Sequence, residues 1–301
     1  MKQALCIPKM EVMESLLRGE TQTVNTKLVP RDVCEVVENG YEQLIPYVIF
    51  STNDIQEGRM KFIKYQRPST GEGEARLQGK TSVGFGGHID NRSDLSSESV
   101  TIENDGSEEF VMTLQDLYKT AVNCAEREIK EELGLDVTEL GIDLNHSYKS
   151  FFKADDTIEV NKVHTGLLIL VNLDQDKFDL ILEKAQPNKE EIEELSFLGI
   201  NTALMLKDSL DGDKSTVSDN LTRYLSEDCE MEQWSTVLVE IIVRSTIVNI
   251  LSKIEYQDII AINRFKQHQA EQQQQSQETS DGVSLDTATA SANDEGQAQA
   301  Q

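Results

Sequence analysis

Glu128, Glu131 and Glu132 stand three and four residues apart, a spacing that puts three carboxylates on one face of a helix turning about 100° per residue. Each like-charged pair at this spacing costs about 0.2–0.5 kcal/mol. The cluster therefore calls for solvent, basic partners or a bound cation. Charge-rich helix faces are commonly just solvated, but the surroundings favour the cation. Arg127 precedes the carboxylates and can pair with Glu131 one turn on. Ile129 and Leu133 supply a buried side, and Gly134-Leu135 stops the helix. Bound Mg²⁺ or Mn²⁺ would relieve that repulsion. Upstream, Gly84-Phe85-Gly86-Gly87-His88 allows a backbone turn that side chains would block. Arg76 and Lys80, just before that turn, are candidates for charge-assisted hydrogen bonds to phosphate. His88 could donate to a phosphate oxygen or orient the loop, whereas His164, heading an apolar run, and Cys124, on the apolar side of the helix, read as structural.

The elements that must position these groups are legible in outline. Thr113 with Asp116 forms a capping box that uses Asp in place of Glu or Gln, and opens a helix to about Leu133, where Gly134 suits a left-handed cap. Residues 44–50 and 61–67 are β-branched and aromatic runs that read as paired strands. Residues 81–90 read as a strand ending in a tight turn. Val100–Glu103 and Glu108–Met112 flank Asn104–Ser107, predicting a protruding hairpin. The near-continuous apolar run Val163–Leu173 predicts a buried central strand, and Glu190–Ile200 leads into another. Trp234–Lys266 reads as one or two helices packing on the sheet or a partner chain. Residues 1–40, punctuated by Pro8 and Pro30, are expected to be an N-terminal extension. Residues 267–301, rich in Gln, Ser, Thr and Ala with no aromatic residue, bury too little apolar surface to offset ordering entropy and are expected to be a disordered tail.

Composition narrows the partners. A net charge of −26 repels nucleic-acid backbones and excludes general DNA or RNA binding. A small phosphorylated metabolite or nucleotide remains compatible, provided that bound metal or a few placed cations overcome the local field. The hydrophobic fraction of 38%, under the usual roughly 45–50%, reflects dilution by the polar C-terminal stretch. Cys6, Cys34, Cys124 and Cys229 are scattered, with neither a disulfide framework nor zinc-ligand spacing. Residues 1–9 lack a secretory apolar stretch, and Val237–Leu251 is interrupted by Glu240 and Arg244. These features lead to the expectation of a soluble cytoplasmic protein without a membrane span. The apolar region Val237–Ile262 suits a homodimer contact.

Arg127 to Leu135 resembles the second half of the Nudix signature at every fixed position. The wider run is similar to the branch known as predicted MutT-like phosphoesterases: Ile45-Pro46-Tyr47, Arg67, Glu74–Leu77, Ser82–Ile89 and Val163–Gly166, covering roughly residues 41 to 266. The resemblance implies an α/β fold, a Nudix-type α/β/α sandwich with a mixed sheet, carrying the hairpin at about residues 90–113 as an insertion. It implies Mg²⁺ or Mn²⁺ as cofactor, with Glu128 and Glu132 as ligands, a backbone carbonyl near Gly87 joining them, and Glu131 as ligand or base. Glu193 or Glu194 is the alternative source of the base, and Arg127 belongs with Glu128 and Glu131 in the catalytic set. The chain departs from the signature where Lys119 stands in place of its first Glu and Gly87 lies far upstream, with Asp94 or Asp90 as stand-ins. The implied function is metal-dependent hydrolysis of a phosphoanhydride bond in a nucleoside diphosphate derivative or similar metabolite. The alternatives are a catalytically silent Nudix-fold module that binds nucleotide or protein, and an acidic interaction protein.

Overall fold

Residues 3–7 and 24–30, inside the segment expected as an N-terminal extension, are internal strands of the sheet. In the computed structural model the described residues are 2–54, 57–70, 75–96, 100–102, 108–153, 157, 159–211, 221–226 and 229–253. The chain divides into two units, Met1–Arg244 and Ser245–Gln301. Of the second, residues 245–253 are described and are helical, so the expected tail at 267–301 lies outside the described residues.

The first unit opens with β1 (Gln3–Ile7), α1 (Met10–Leu17), β2 (Val24–Pro30) and the short α2 (Arg31–Cys34). There follow β3 (Glu42–Asp54), β4 (Arg59–Gln66), β5 (Thr81–Ser82), β6 (Gly84–Phe85), β7 (Val100–Ile102), β8 (Glu108–Met112) and α3 (Leu114–Leu133). The remainder is β9 (Tyr148–Phe152), α4 (Glu159–Lys162), β10 (His164–Leu173), α5 (Gln175–Lys184), β11 (Glu194–Asn201), α6 (Thr202–Asp211) and α7 (Gln233–Lys253).

β3 organises the sheet. One edge pairs in parallel with β10, Gln43 opposite His164 through Thr52 opposite Leu173. Its other edge is shared antiparallel by β1, β6 and β4. From there the sheet runs β11-β4-β3-β1-β2-β8-β7, with β9 on the far side of β10. One parallel pair among antiparallel ones makes the sheet mixed, and β10, paired on both edges, is the buried strand its apolar run predicts. The expected protruding hairpin is different in one respect. Its strands β7 and β8 do pair, but β8 also pairs with β2 from Val24 opposite Met112 to Leu28 opposite Glu108. Phe110 and Met112 are buried there, so docking on the sheet removes apolar surface that a free hairpin would expose. The turn at 103–107 lies outside the described residues.

Because side chains alternate along a strand, β3 feeds two layers. Val48 and Phe50 pack with Ile129 and Leu133 of α3 and Phe178 and Ile181 of α5. Tyr47, pointing the other way, meets Trp234 and Ser235 at the start of α7. Helices thus cover both faces, an α/β/α arrangement with a mixed sheet. α3 also reaches a second apolar cluster, where Leu117, Ala121 and Cys124 pack on Leu5, Leu28 and Phe110. α7 is long and apolar enough to cross a membrane by length and composition alone. Within the first unit, however, its Ser235, Leu238, Val239, Ile242 and Val243 are buried.

α3 begins and ends as its sequence dictates. Thr113 Oγ1 accepts from the Asp116 amide at 3.1 Å, and Asp116 Oδ2 accepts from the Thr113 amide at 2.9 Å. Gly134 closes the helix at φ +65°. Thr113→Ala is expected to cost about 1 kcal/mol, read as a lower urea midpoint at unchanged slope.

Candidate metal and phosphate site

α3 delivers its acidic face to a cavity of about 470 Å³ whose floor is the glycine turn. The turn is possible only without side chains at two positions. Gly86 sits at φ +146°, and a Cβ there would lie 2.1 Å from the Pro46 carbonyl oxygen; one on Gly87 would lie 2.7 Å from the Glu128 carboxyl carbon. Gly87 thus lies close to the Glu128 carboxylate.

Arg127 is the hub. Its Nη1 donates to Glu128 Oε1 at 2.8 Å and to Glu131 Oε2 at 3.2 Å. Its Nη2 donates to Asp94 Oδ2 at 3.0 Å, Asp90 Oδ1 at 3.2 Å and the His88 carbonyl at 3.2 Å. One guanidinium thus faces four carboxylates, which leaves the neighbourhood strongly negative. Of the two stand-ins for the missing signature Glu, Asp94 is buried and engages Arg127 through both Nε and Nη2, whereas Asp90 is more exposed. Lys119 is exposed on α3 and does not line the cavity. Lys119→Glu, which puts a carboxylate where the signature asks for one, is expected to change turnover by less than about twofold, measured as kcat/KM on a substrate of the wild type.

The three carboxylates are not equivalent. Glu132 is buried, and its Oε2 has no hydrogen-bond partner. Burial, reinforced by Glu128 and Glu191 and opposed by Arg67, pushes its pKa well above the carboxylate range. Burial also raises Glu128, to about 7, although Arg127 pulls the other way. Glu131 has 59% of its side chain exposed. Glu128, Glu131 and Glu132 all line the cavity. Among the described residues no three His, Cys, Asp or Glu side chains are gathered to enclose a metal ion; Arg127 Nη1 donates to both Glu128 and Glu131. Glu128 and Glu132 are the more buried pair, with Gly87 beside Glu128. That pair still fits a hard cation. Mg²⁺ is commonly held by one or two carboxylates with water and substrate oxygens completing its shell, and an orphaned, buried carboxylate oxygen is the donor such an ion would satisfy.

The other expected residues divide. Arg76 lines the cavity, as does His88, whose Nε2 is buried without a partner. Burial first, then Arg31, His164 and Lys2, drives the His88 pKa down to about 3, so its ring is neutral at physiological pH. Lys80 does not line the cavity; it pairs with Glu230 at 3.3 Å. Glu193 and Glu194 are exposed and do not line it either. The cavity acids of that loop are Glu190 and Glu191. The reason is a helix cap: the Gln186 and Asn188 amides donate to the Leu133 and Glu132 carbonyls at 2.7 and 2.8 Å. These bonds satisfy the last turn of α3 and draw the following residues over the site.

Several lining residues carry no signal in the pattern of the chain. Glu232, just before α7, is buried and accepts from Tyr47 Oη at 2.6 Å, Ser82 Oγ at 2.7 Å and Arg67 Nε at 3.2 Å. This network ties the start of α7 to β3, β5 and the residue after β4. Next to it Trp234 meets Tyr47 and Phe152 edge-on, at 5.7 and 4.8 Å between ring centres, and its Nε1 donates to Asn161 Oδ1 at 3.2 Å. An acidic residue ahead of an apolar helix reads as an N-cap, which is the one hint Glu232 offers.

No family model and no curated protein matches the chain. Solved structures overlay on it loosely. Tm1382, a candidate Nudix hydrolase, is 16% identical over 81% of this chain and 99% of its own, with a TM-score of 0.40. A MutT/nudix family protein from Enterococcus faecalis is 14% identical over 53% of this chain and 44% of its own, with a TM-score of 0.32. DR0079 from Deinococcus radiodurans is 9% identical over 65% of this chain and 81% of its own, with a TM-score of 0.28. Likenesses this distant define no function, and the chemistry has to be argued from the residues of the cavity.

Proposed function

We propose that this cavity hydrolyses a phosphoanhydride bond in a nucleoside diphosphate derivative or similar small phosphorylated metabolite. The observation that carries the reading is the juxtaposition of a buried, partnerless Glu132 oxygen with half-buried Glu128 and the Gly87 backbone, in a cavity that Arg67, Arg76 and Arg127 also line. Glu128 and Glu132 would hold Mg²⁺ or Mn²⁺, which when bound supplies charge neutralisation at the diphosphate and lowers the pKa of a coordinated water.

The chain's own residues do the rest. Arg127 fixes the Glu128 and Glu131 carboxylates and, through the His88 carbonyl, the end of the glycine turn. Arg76 offers a charge-assisted donor to phosphate oxygen. Glu131 is solvent-accessible and one turn from Arg127, which suits it to accept a proton from the attacking water and pass it to bulk solvent. Glu191, at the cavity wall, is the other group placed to do so. Tyr47, Asn161 and Trp234 form an aromatic and amide wall suited to the organic part of the substrate.

One observation favours a binding-only role: Arg127 already occupies Glu128 Oε1 at 2.8 Å, a contact that competes with an ion. Turnover separates the two readings. A panel of nucleoside diphosphates and their sugar and alcohol conjugates, incubated with and without Mg²⁺ or Mn²⁺, is expected to release phosphate or nucleotide only with metal. Substrate binding without release across the panel would favour the silent module.

A further inference from the structure

The cavity extends beyond the metal and diphosphate groups to residues that the first forty positions contribute. Lys2 and Arg31 line it beside His88 and His164. The Arg31 amide donates to the Lys2 carbonyl at 3.0 Å, so the sheet holds the two backbones together. The cations nearer the acidic face are engaged there. Arg67 is bound to Glu232, and Arg127 to Asp90, Asp94, Glu128 and Glu131. Among the described residues Lys2 and Arg31 make no ion pair with a carboxylate of the cavity. Arg31 pairs through Nε with Glu35 at 2.9 Å, and Glu35 does not line the cavity. His88 lines the cavity with these cations, its buried Nε2 lacking a partner and its ring 5.5 Å from that of His164. A chain of net charge −26 that lines one cavity with two basic side chains and an unsatisfied imidazole nitrogen is equipped for an anion there.

We propose that Lys2, Arg31 and His88 form a second phosphate subsite, so that the compound taken by this cavity carries a phosphate group in addition to the diphosphate that is cleaved. The inference rests on the diphosphate reading above and deepens it. It makes the N-terminal segment part of substrate recognition, with Lys2 and Arg31 as point and forked donors and His88 Nε2 beside the glycine turn.

The test uses the full chain and inorganic tripolyphosphate as probe, titrated calorimetrically in the presence of a chelator so that metal binding at Glu128 and Glu132 is silent. The wild type is expected to bind saturably. The double variant Lys2→Gln with Arg31→Gln should bind at least about tenfold more weakly. A charge-matched control, Arg18→Gln with Lys184→Gln, exposed and remote from the cavity lining, should bind as the wild type does. Equal weakening in the control would assign the effect to overall charge and overturn the subsite, as would unchanged binding in the Lys2 and Arg31 variant or none in the wild type. The two readings fail separately. Binding that depends on Lys2 and Arg31 in a protein without hydrolytic turnover overturns the hydrolase and keeps the subsite; metal-dependent turnover with binding indifferent to both residues does the reverse.

Discussion

Glu132→Gln is expected to cost most of the turnover and to make the metal-free protein more stable. Glu132 is buried among Glu128, Glu191 and Glu232, and its Oε2 has no partner, so ionising it in the folded state without a cation opposes folding. A neutral amide of the same shape removes that repulsion, and the expected gain is about 1–3 kcal/mol. The sign with pH follows from linkage. A carboxyl whose folded pKa is raised stabilises the fold at pH values below its unfolded pKa, and that contribution is lost as pH rises towards the folded value. The stability difference between Glu132→Gln and wild type should therefore be small in acid and grow as pH rises above the ordinary carboxylate range. Urea midpoints measured at several pH values in chelator check it. A difference that shrinks with rising pH contradicts the account. Turnover should fall about 100-fold or more, because the group that would hold the ion in place is gone. Gain of stability with loss of activity is the mark of a residue kept for function.

Arg127→Gln has the opposite effect on the fold. Six groups lose a donor at once: Asp90, Asp94, Glu128, Glu131, the His88 carbonyl and Cys124 Sγ. Asp94 is left as a buried, uncompensated charge, and breaking such a pair costs about 3–5 kcal/mol. Turnover on whatever protein remains folded should drop about 10–100-fold, since the carboxylates lose their orientation. Arg127→Lys should recover little, because an ammonium cannot span Asp94 and Glu128 with a planar fork. Thermal unfolding and kcat/KM on the same samples check both parts. A lysine variant with wild-type stability and rate would show that Arg127 acts only as a point charge.

What could be read along the chain and what could not differ for a physical reason. α3, with its Thr113–Asp116 box and Gly134 cap, is specified by residues within a few positions of one another. The same holds for the pairing of β3 with β4. Arg127 with Glu131 also follows from helical spacing alone. Sheet order is another matter. Lys2, Arg31 and Glu232 reach the cavity because β1 lies beside β3 and because a buried polar network fastens the start of α7, and neither fact has a local signature. The choice of Glu190 and Glu191 over Glu193 and Glu194 turns on two cap bonds from the loop after α5. Glu131, placed with its neighbours by helical spacing, lines the cavity with most of its side chain exposed. Cys6 and Cys34, far apart in the chain, share one buried apolar cluster as free thiols.

The most direct test of the account is equilibrium binding of Mn²⁺ to the metal-free protein by calorimetry, in wild type, Glu128→Gln, Glu132→Gln and Lys119→Glu. The account predicts saturable binding in wild type and Lys119→Glu, and binding at least about tenfold weaker in each Gln variant. Equal Mn²⁺ affinity in all four proteins would contradict it, because the ion would then sit away from Glu128 and Glu132.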